Sequence, residues 1–180
     1  MRFENPLSRI VSLVGAACLG CAATVTAGSE LETVRAKVRA KYPTVPQLST
    51  VELATWLADT NRPSPLLLDA RTEEEFAVSH LPGARRADLK PSELAKSSGT
   101  NRPVVVYCSV GYRSSQMAER LQKAGLTNVF NLDGSIFQWA NEGRPLEHSG
   151  KPAKTVHPYN NSMSKLLREE IRANVPAAKD

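Results

Sequence analysis

The chain has 180 residues, of which 41% are hydrophobic and 23% charged, with a formal net charge of +5. That composition is globular, and the length suits one ordinary domain with extensions and a real core. The excess positive charge lies at the ends: residues 148–180 hold six Lys/Arg against three Asp/Glu, while residues 28–147 hold fifteen against fourteen, so a nucleic-acid or acidic-surface partner is not supported.

Residues 1–27 differ from the rest. Arg2 and Arg9 precede an apolar, small-residue stretch from Ile10 to Ala23, and Val25-Thr26-Ala27 offers a signal-peptidase site. This pattern predicts a cleaved export signal and hence a periplasmic protein with no membrane span once the signal is removed. An uncleaved membrane anchor is the alternative, since Ile10 to Ala27 is marginally long enough to span. A lipoprotein is another, although neither Cys18 nor Cys21 has leucine three residues before it. Loss of residues 1–27 would leave Cys108 as the sole cysteine, with no intramolecular disulfide available.

In chain order, residues 28–44 carry a helix. Ser29-Glu30-Leu31-Glu32 fits a capping box, Leu31, Val34 and Val38 share one face, and Tyr42-Pro43 stops the segment. Val45 to Leu48 predicts a short strand, and Ser49-Thr50-Val51-Glu52 caps a helix bearing Leu53, Trp56 and Leu57. Leu66 to Asp69 reads as a buried strand, and Thr72 to Glu75 caps a short helix. Pro82-Gly83 breaks the chain before a strand near 84–87, a helix is predicted over 90–96, and Val104 to Tyr107 is a further buried strand. Ser114 to Ala124 predicts a helix ending at Gly125, and Thr127 to Leu132 the last strand. Alternation of strand and helix predicts a parallel sheet with helices on both faces and a site at the carboxyl ends of its strands. Beyond it, 150–161 reads as a polar segment and 162–173 as an amphipathic helix with Met163, Leu166, Leu167 and Ile171 on one side. That side would pack on the domain or dock a partner protein.

The chemistry concentrates at Cys108-Ser109-Val110-Gly111-Tyr112-Arg113-Ser114, a loop between strand and helix. Backbone N–H groups of such a loop and of the first helical turn converge on a negative centre, and with Arg113 nearby they would favour a thiolate. An inert buried thiol is the alternative, against which the polar, glycine-containing loop argues.

These residues resemble the active-site loop of single-domain rhodanese sulfurtransferases. Leu66 to Arg71 with Glu73-Glu74-Glu75-Phe76 resembles the family's first signature, and His80 to Ala84 its second. Asn131-Leu132-Asp133-Gly134-Ser135-Ile136-Phe137-Gln138-Trp139 is similar to the closing segment, with Ser135 where a second glycine is usual. The likeness runs over residues 45–148, leaving 149–180 as a C-terminal extension. It implies an α/β fold of rhodanese type with helical extensions at both ends, and a sulfurtransferase that forms a persulfide on Cys108. The N–H groups of Ser109, Val110, Gly111, Tyr112, Arg113 and Ser114 would hold the negative sulfur, and Arg113 the anionic donor. It also brings Asp69 and Arg71 near the loop, Asp69 accepting hydrogen bonds from it and Arg71 pairing with an acid of the following helix; the alternative is a purely structural aspartate.

The implied partners are a small anionic sulfur donor such as thiosulfate and a thiol or cyanide acceptor. No cofactor is called for, and His148 and His157 lack metal-ligand spacing. His80 reads as a turn residue, and Trp56 and Trp139 as core. Two other functions compete: a binding module of this fold without turnover, and a cysteine phosphatase or arsenate reductase. Only four residues separate Cys108 from Arg113. Phosphate-binding loops of that kind have five, which argues against the second.

Overall fold

The computed structural model describes residues 21–88, 90, 92, 93 and 102–175. Most of the expected export signal and most of the expected helix over 90–96 lie outside the described residues.

Helix α1 spans Cys21–Lys41. It runs straight through Ser29 rather than starting there: no proline stands between Cys21 and Lys41, and the helix continues despite the weak helix formers Thr24, Val25, Thr26 and Gly28. Glu32, free of any capping duty, forms ion pairs with Arg35 and Arg39. The stripe seen in the sequence is used as expected: Leu31 and Val38 are buried and Val34 packs beside them.

Strand β1 (Gln47–Leu48), helix α2 (Thr50–Ala58), strand β2 (Leu66–Asp69), helix α3 (Glu73–Val78) and strand β3 (Arg85–Arg86) follow. The other two anticipated capping boxes do form, Ser49 with Glu52 on α2 and Thr72 with Glu75 on α3. Strand β4 (Val104–Tyr107) leads to helix α4 (Tyr112–Lys123), strand β5 (Val129–Leu132) and helix α5 (Ser135–Asn141). The five strands form one parallel sheet in the order β1-β5-β4-β2-β3. Successive β4 side chains point to opposite faces, and both faces are buried. Val105 and Tyr107 join the core of α1, α2 and α5, whereas Val104 and Val106 join Ala118 and Leu121 of α4 on the other side. Trp56 and Trp139 are core residues, and each indole N–H has a carbonyl partner, on Pro63 and Pro145 respectively.

The C-terminal extension differs from expectation. In place of a polar segment, strands β6 (Leu146–His148) and β7 (Lys151–Ala153) form an antiparallel hairpin. Ser149 and Gly150 turn it with φ of 50° and 72°, a turn in which both central residues are left-handed, as right-twisted hairpins favour. In place of one amphipathic helix there are a short helix α6 (Asn161–Ser164) and a 3-10 turn (Glu169–Ile171). The cause is tertiary. The Asn141 side chain donates to the Leu166 carbonyl at 2.7 Å and accepts from the Arg168 N–H at 3.0 Å, and the Arg172 guanidinium donates to the Leu167 carbonyl. These contacts take backbone groups that a continuous helix would need. Leu166 and Leu167 are both buried in the main core, with Met163 and Ile171 packed against it, so of the two roles anticipated for this apolar side it takes the first, packing on the domain. Among the described residues no helix is long and apolar enough to cross a membrane.

Leu167 is fully buried, so Leu167→Ala should lower stability by about 3 kcal/mol, and deletion of residues 162–180 should lower the thermal midpoint. Denaturant and thermal unfolding check this; a deletion with an unchanged midpoint would contradict the packing.

Candidate active site

Cys108 follows β4 directly, at the carboxyl edge of the sheet where the parallel strands end. Its side chain is buried at the floor of the loop that leads into α4. The Gly111 N–H donates to Cys108 Sγ at 3.2 Å, and Ser114 Oγ lies 3.4 Å from the same sulfur.

What bends the loop around the sulfur is its neighbour α5. The Ile136 and Phe137 N–H groups, in the first turn of that helix, donate to the Cys108 and Ser109 carbonyls, both at 3.1 Å. Those carbonyls are therefore turned away from the sulfur. The Cys108 N–H donates to Ser135 Oγ at 3.2 Å, and that hydroxyl donates onward to the Leu132 carbonyl. Ser135 stands at φ 52°, a left-handed backbone that is costly for a side-chain-bearing residue. Its two hydrogen bonds offset that cost, which accounts for a serine where a glycine was usual.

Gly111 caps α4 at φ 115°. A Cβ there would lie 3.3 Å from Val38 Cγ1 of α1 and 3.5 Å from Asn131 Nδ2, so both the backbone and the close approach require glycine. Helix α1 is held over the loop by Arg35 and Arg39, which donate to Asp133 Oδ2 at 2.7 and 2.8 Å.

Arg113 is placed differently from the expectation that it faces the donor. Its Nη1 and Nη2 bind Glu75 of α3 at 2.6 and 2.8 Å, and Nη2 also reaches Ser109 Oγ at 3.0 Å. Burial alone would push the Glu75 carboxyl up, but hydrogen bonds and charge from Arg113, the Thr72 N–H and the charge of Arg71 hold it at about 2. Burial would likewise lower the Arg113 pKa, and the Glu75 hydrogen bonds raise it instead. On the outer side, the Tyr159 ring stacks 4.8 Å from the guanidinium. Tyr159 comes from the extension and itself sits at φ 66°. Its N–H donates to His157 Nδ1 at 3.0 Å, which makes that nitrogen the acceptor; burial lowers the His157 pKa and favours this neutral form.

Asp69 and Arg71 lie under the site rather than in it. Arg71 does not pair with an acid of α3: its guanidinium forms a fully buried ion pair with Asp69 at 2.7 Å and donates to the Ser79 carbonyl. Asp69 is occupied by the guanidinium and the backbone N–H of Arg71, not by N–H groups of the Cys108 loop. His80 stays with its turn. It stacks on Phe76 with ring centroids 3.8 Å apart and lies 3.4 Å from Glu147, whose carboxylate also accepts the Gly83 N–H. A groove of about 540 Å³ beside the β6–β7 hairpin, lined by Arg144, Lys151, Lys154 and Arg168, includes none of the Cys108 loop. Among the described residues no cluster of His, Cys, Asp and Glu could hold a metal.

In the sequence Glu75 is legible as a cap and as part of the first signature, but its pairing with Arg113 is not, nor are the contacts that Asn131, Asp133, His157 and Tyr159 make around the loop. For Asp133 no local signal existed, since its partners Arg35 and Arg39 lie 98 and 94 residues away.

The fold and site together define a parallel α/β domain with a buried cysteine at the mouth of a strand-to-helix loop. The chain belongs to the rhodanese-like domain family, whose model matches residues 50–142. It is 36% identical over 107 residues to a sulfurtransferase of Allochromatium vinosum, covering 57% of this chain and 94% of that one. It is 33% identical over 100 residues to a probable adenylyltransferase/sulfurtransferase MoeZ of Mycobacterium tuberculosis, covering 52% of this chain and only 24% of that longer protein. Its fold is similar to the crystal structure of the BH2092 protein of Bacillus halodurans, with a TM-score of 0.56 and 18% identity over 75% of this chain and 97% of that one.

Because Glu75 is depressed from an ordinary value near 4.5 to about 2, its ionised form stabilises the fold fully above pH 4.5, and that stabilisation falls away as pH drops toward 2. Glu75→Gln should cost about 3 kcal/mol at neutral pH by leaving Arg113 half-buried and unpaired. It should also flatten the loss of stability across that acid window, as measured by urea unfolding at a series of pH values.

Proposed function

We propose that the protein is a sulfurtransferase that carries a sulfane sulfur on Cys108, with thiosulfate as a donor and cyanide or a thiol as acceptor. The observation that carries this reading is the Cys108 sulfur at the head of α4, facing the Gly111 N–H at 3.2 Å and the Ser114 hydroxyl at 3.4 Å. Family membership and the sulfurtransferase name of the Allochromatium relative support sulfur transfer in general.

In the first half-reaction the Cys108 thiolate attacks the outer sulfur of thiosulfate. A new S–S bond forms, the old one breaks, and sulfite leaves with its electron pair. The negative persulfide stays in the loop, where backbone donors favour its charge. In the second half-reaction the acceptor attacks the outer sulfur, and the thiolate returns. Arg113 acts here chiefly as a positioning residue: its pair with Glu75 ties the loop to α3, and its remaining field favours an approaching anion. In a mature chain lacking residues 1–27 Cys108 has no second cysteine to resolve the persulfide, so the acceptor comes from outside.

Intact-mass measurement after thiosulfate alone should show one added sulfur, removed by cyanide and never acquired by Cys108→Ser. Arg113→Ala should lower the rate of persulfide formation from thiosulfate by at least tenfold. An unchanged mass, with the fold and a free Cys108 thiol verified, would overturn sulfur transfer and favour a binding module.

The same reading takes residues 1–27 as an export signal cleaved near Ala27, with function in the periplasm. Cleavage there would keep every described anchor of α1, from Leu31 to Arg39. N-terminal sequencing of the protein from the periplasmic fraction should begin at or near Gly28; an intact Met1 chain in the cytoplasm would contradict it.

A further inference from the structure

Behind the Cys108 sulfur lies a chain of amides that the mechanism above does not use. Asn131 of β5 is fully buried and stands directly across from Gln47 of β1 in the parallel register. Ser114 Oγ lies 2.6 Å from Asn131 Oδ1; Asn131 Nδ2 donates to Gln47 Oε1 at 2.7 Å; Gln47 Nε2 donates to the Val45 carbonyl at 3.0 Å.

The orientation of each amide is forced from the far end. A backbone carbonyl can only accept, so Gln47 turns its nitrogen to Val45 and its oxygen to Asn131. Asn131 must then answer Gln47 with its nitrogen, which leaves its oxygen for Ser114. A serine hydroxyl has one proton, and both Asn131 Oδ1 at 2.6 Å and Cys108 Sγ at 3.4 Å compete for it. The short contact to the amide oxygen wins. Ser114 therefore presents a lone pair to the sulfur. That arrangement suits a neutral S–H group and opposes a negative sulfur. Ser135 cannot substitute, because its own proton is on the Leu132 carbonyl.

We infer that Asn131 and Gln47 are positioning residues that hold the Ser114 proton away from Cys108 in the resting thiol and yield it when the sulfur becomes negative. On loss of the S–H proton to solvent, or on persulfide formation, the Ser114 hydroxyl turns from Asn131 Oδ1 to the sulfur. The relay thus restrains the nucleophile until a negative sulfur is in place. The inference deepens the proposed sulfur transfer, yet the orientation argument stands without it. The charged groups beside the loop, Arg113 and Glu75, are paired with each other and are not touched by the substitutions below.

The test uses the full chain and no sulfur donor. Iodoacetamide alkylation is followed at the Cys108 peptide by mass spectrometry at one mildly acidic pH. Asn131→Leu removes the competing acceptor. Gln47→Leu frees the Asn131 amide to turn its nitrogen toward Ser114 Oγ. Both should raise the Cys108 alkylation rate about fivefold, equivalent to about 1 kcal/mol, the worth of one hydrogen bond. In a Ser114→Ala background the Asn131→Leu effect should vanish, because no proton remains to redirect. Gln47 is only half-buried on an edge strand, so its variant carries the test if Asn131→Leu does not fold. Rates unchanged or lowered in folded variants, or an increase that persists without Ser114, would overturn the inference. Failure of the wild type to take sulfur from thiosulfate would instead sink the sulfur-transfer reading and leave this one standing.

Discussion

The site depends on the bidentate pair between Glu75 and Arg113. Its two partners come from different layers of the fold, α3 and the start of α4, and the Ser109 hydroxyl joins the same carboxylate at 2.9 Å. One acidic side chain thereby grips both sides of the loop that surrounds Cys108. Glu75 also closes the capping box of α3, so the loop, the helix and the cap are one hydrogen-bonded unit. An isolated surface pair would contribute little, but this carboxylate is buried and every strong acceptor direction is used, which makes removal of either partner costly.

Both terminal segments converge on that unit. Helix α1 lays Val38 against Gly111 and fixes the β5–α5 connection through Asp133. The C-terminal extension places Tyr159 on the outer face of Arg113 and binds Ser79 through the Thr155 carbonyl. Their effect is to fix the groups around the Cys108 loop from both sides, so that its polar groups are already ordered in the folded chain. Val156, Leu166 and Leu167 belong to the same core as the sheet, so the extension is continuous with the domain it covers.

The competing claims on the Ser114 proton show why a cradle of donors is not simply the sum of its donors. Gly111 N–H can only favour negative sulfur, whereas Ser114 can favour or oppose it, depending on what lies behind. What lies behind is set by a cross-strand pair, Gln47 with Asn131, at the edge of the sheet. Sheet register thus reaches the Cys108 sulfur through three polar side chains.

Local chemistry determined the strands, most helices and the position of Cys108. Runs such as Val104 to Val106 and caps such as Ser49-Glu52 and Thr72-Glu75 carry their own signal within a few residues, because β-branching, periodicity and capping act at short range. Partner choice was not local. Whether Arg71 or Arg113 would meet Glu75 depended on which element crossed α3, and Arg71 was captured two residues away by Asp69. The stripe from Met163 to Ile171 had the spacing of a helix, yet Asn141 and Arg172 took its backbone groups and broke it into shorter turns. Periodicity states which residues seek burial. Only the folded chain decides which polar groups reach the backbone first, because the partners that compete for it are brought together by packing between residues far apart in sequence.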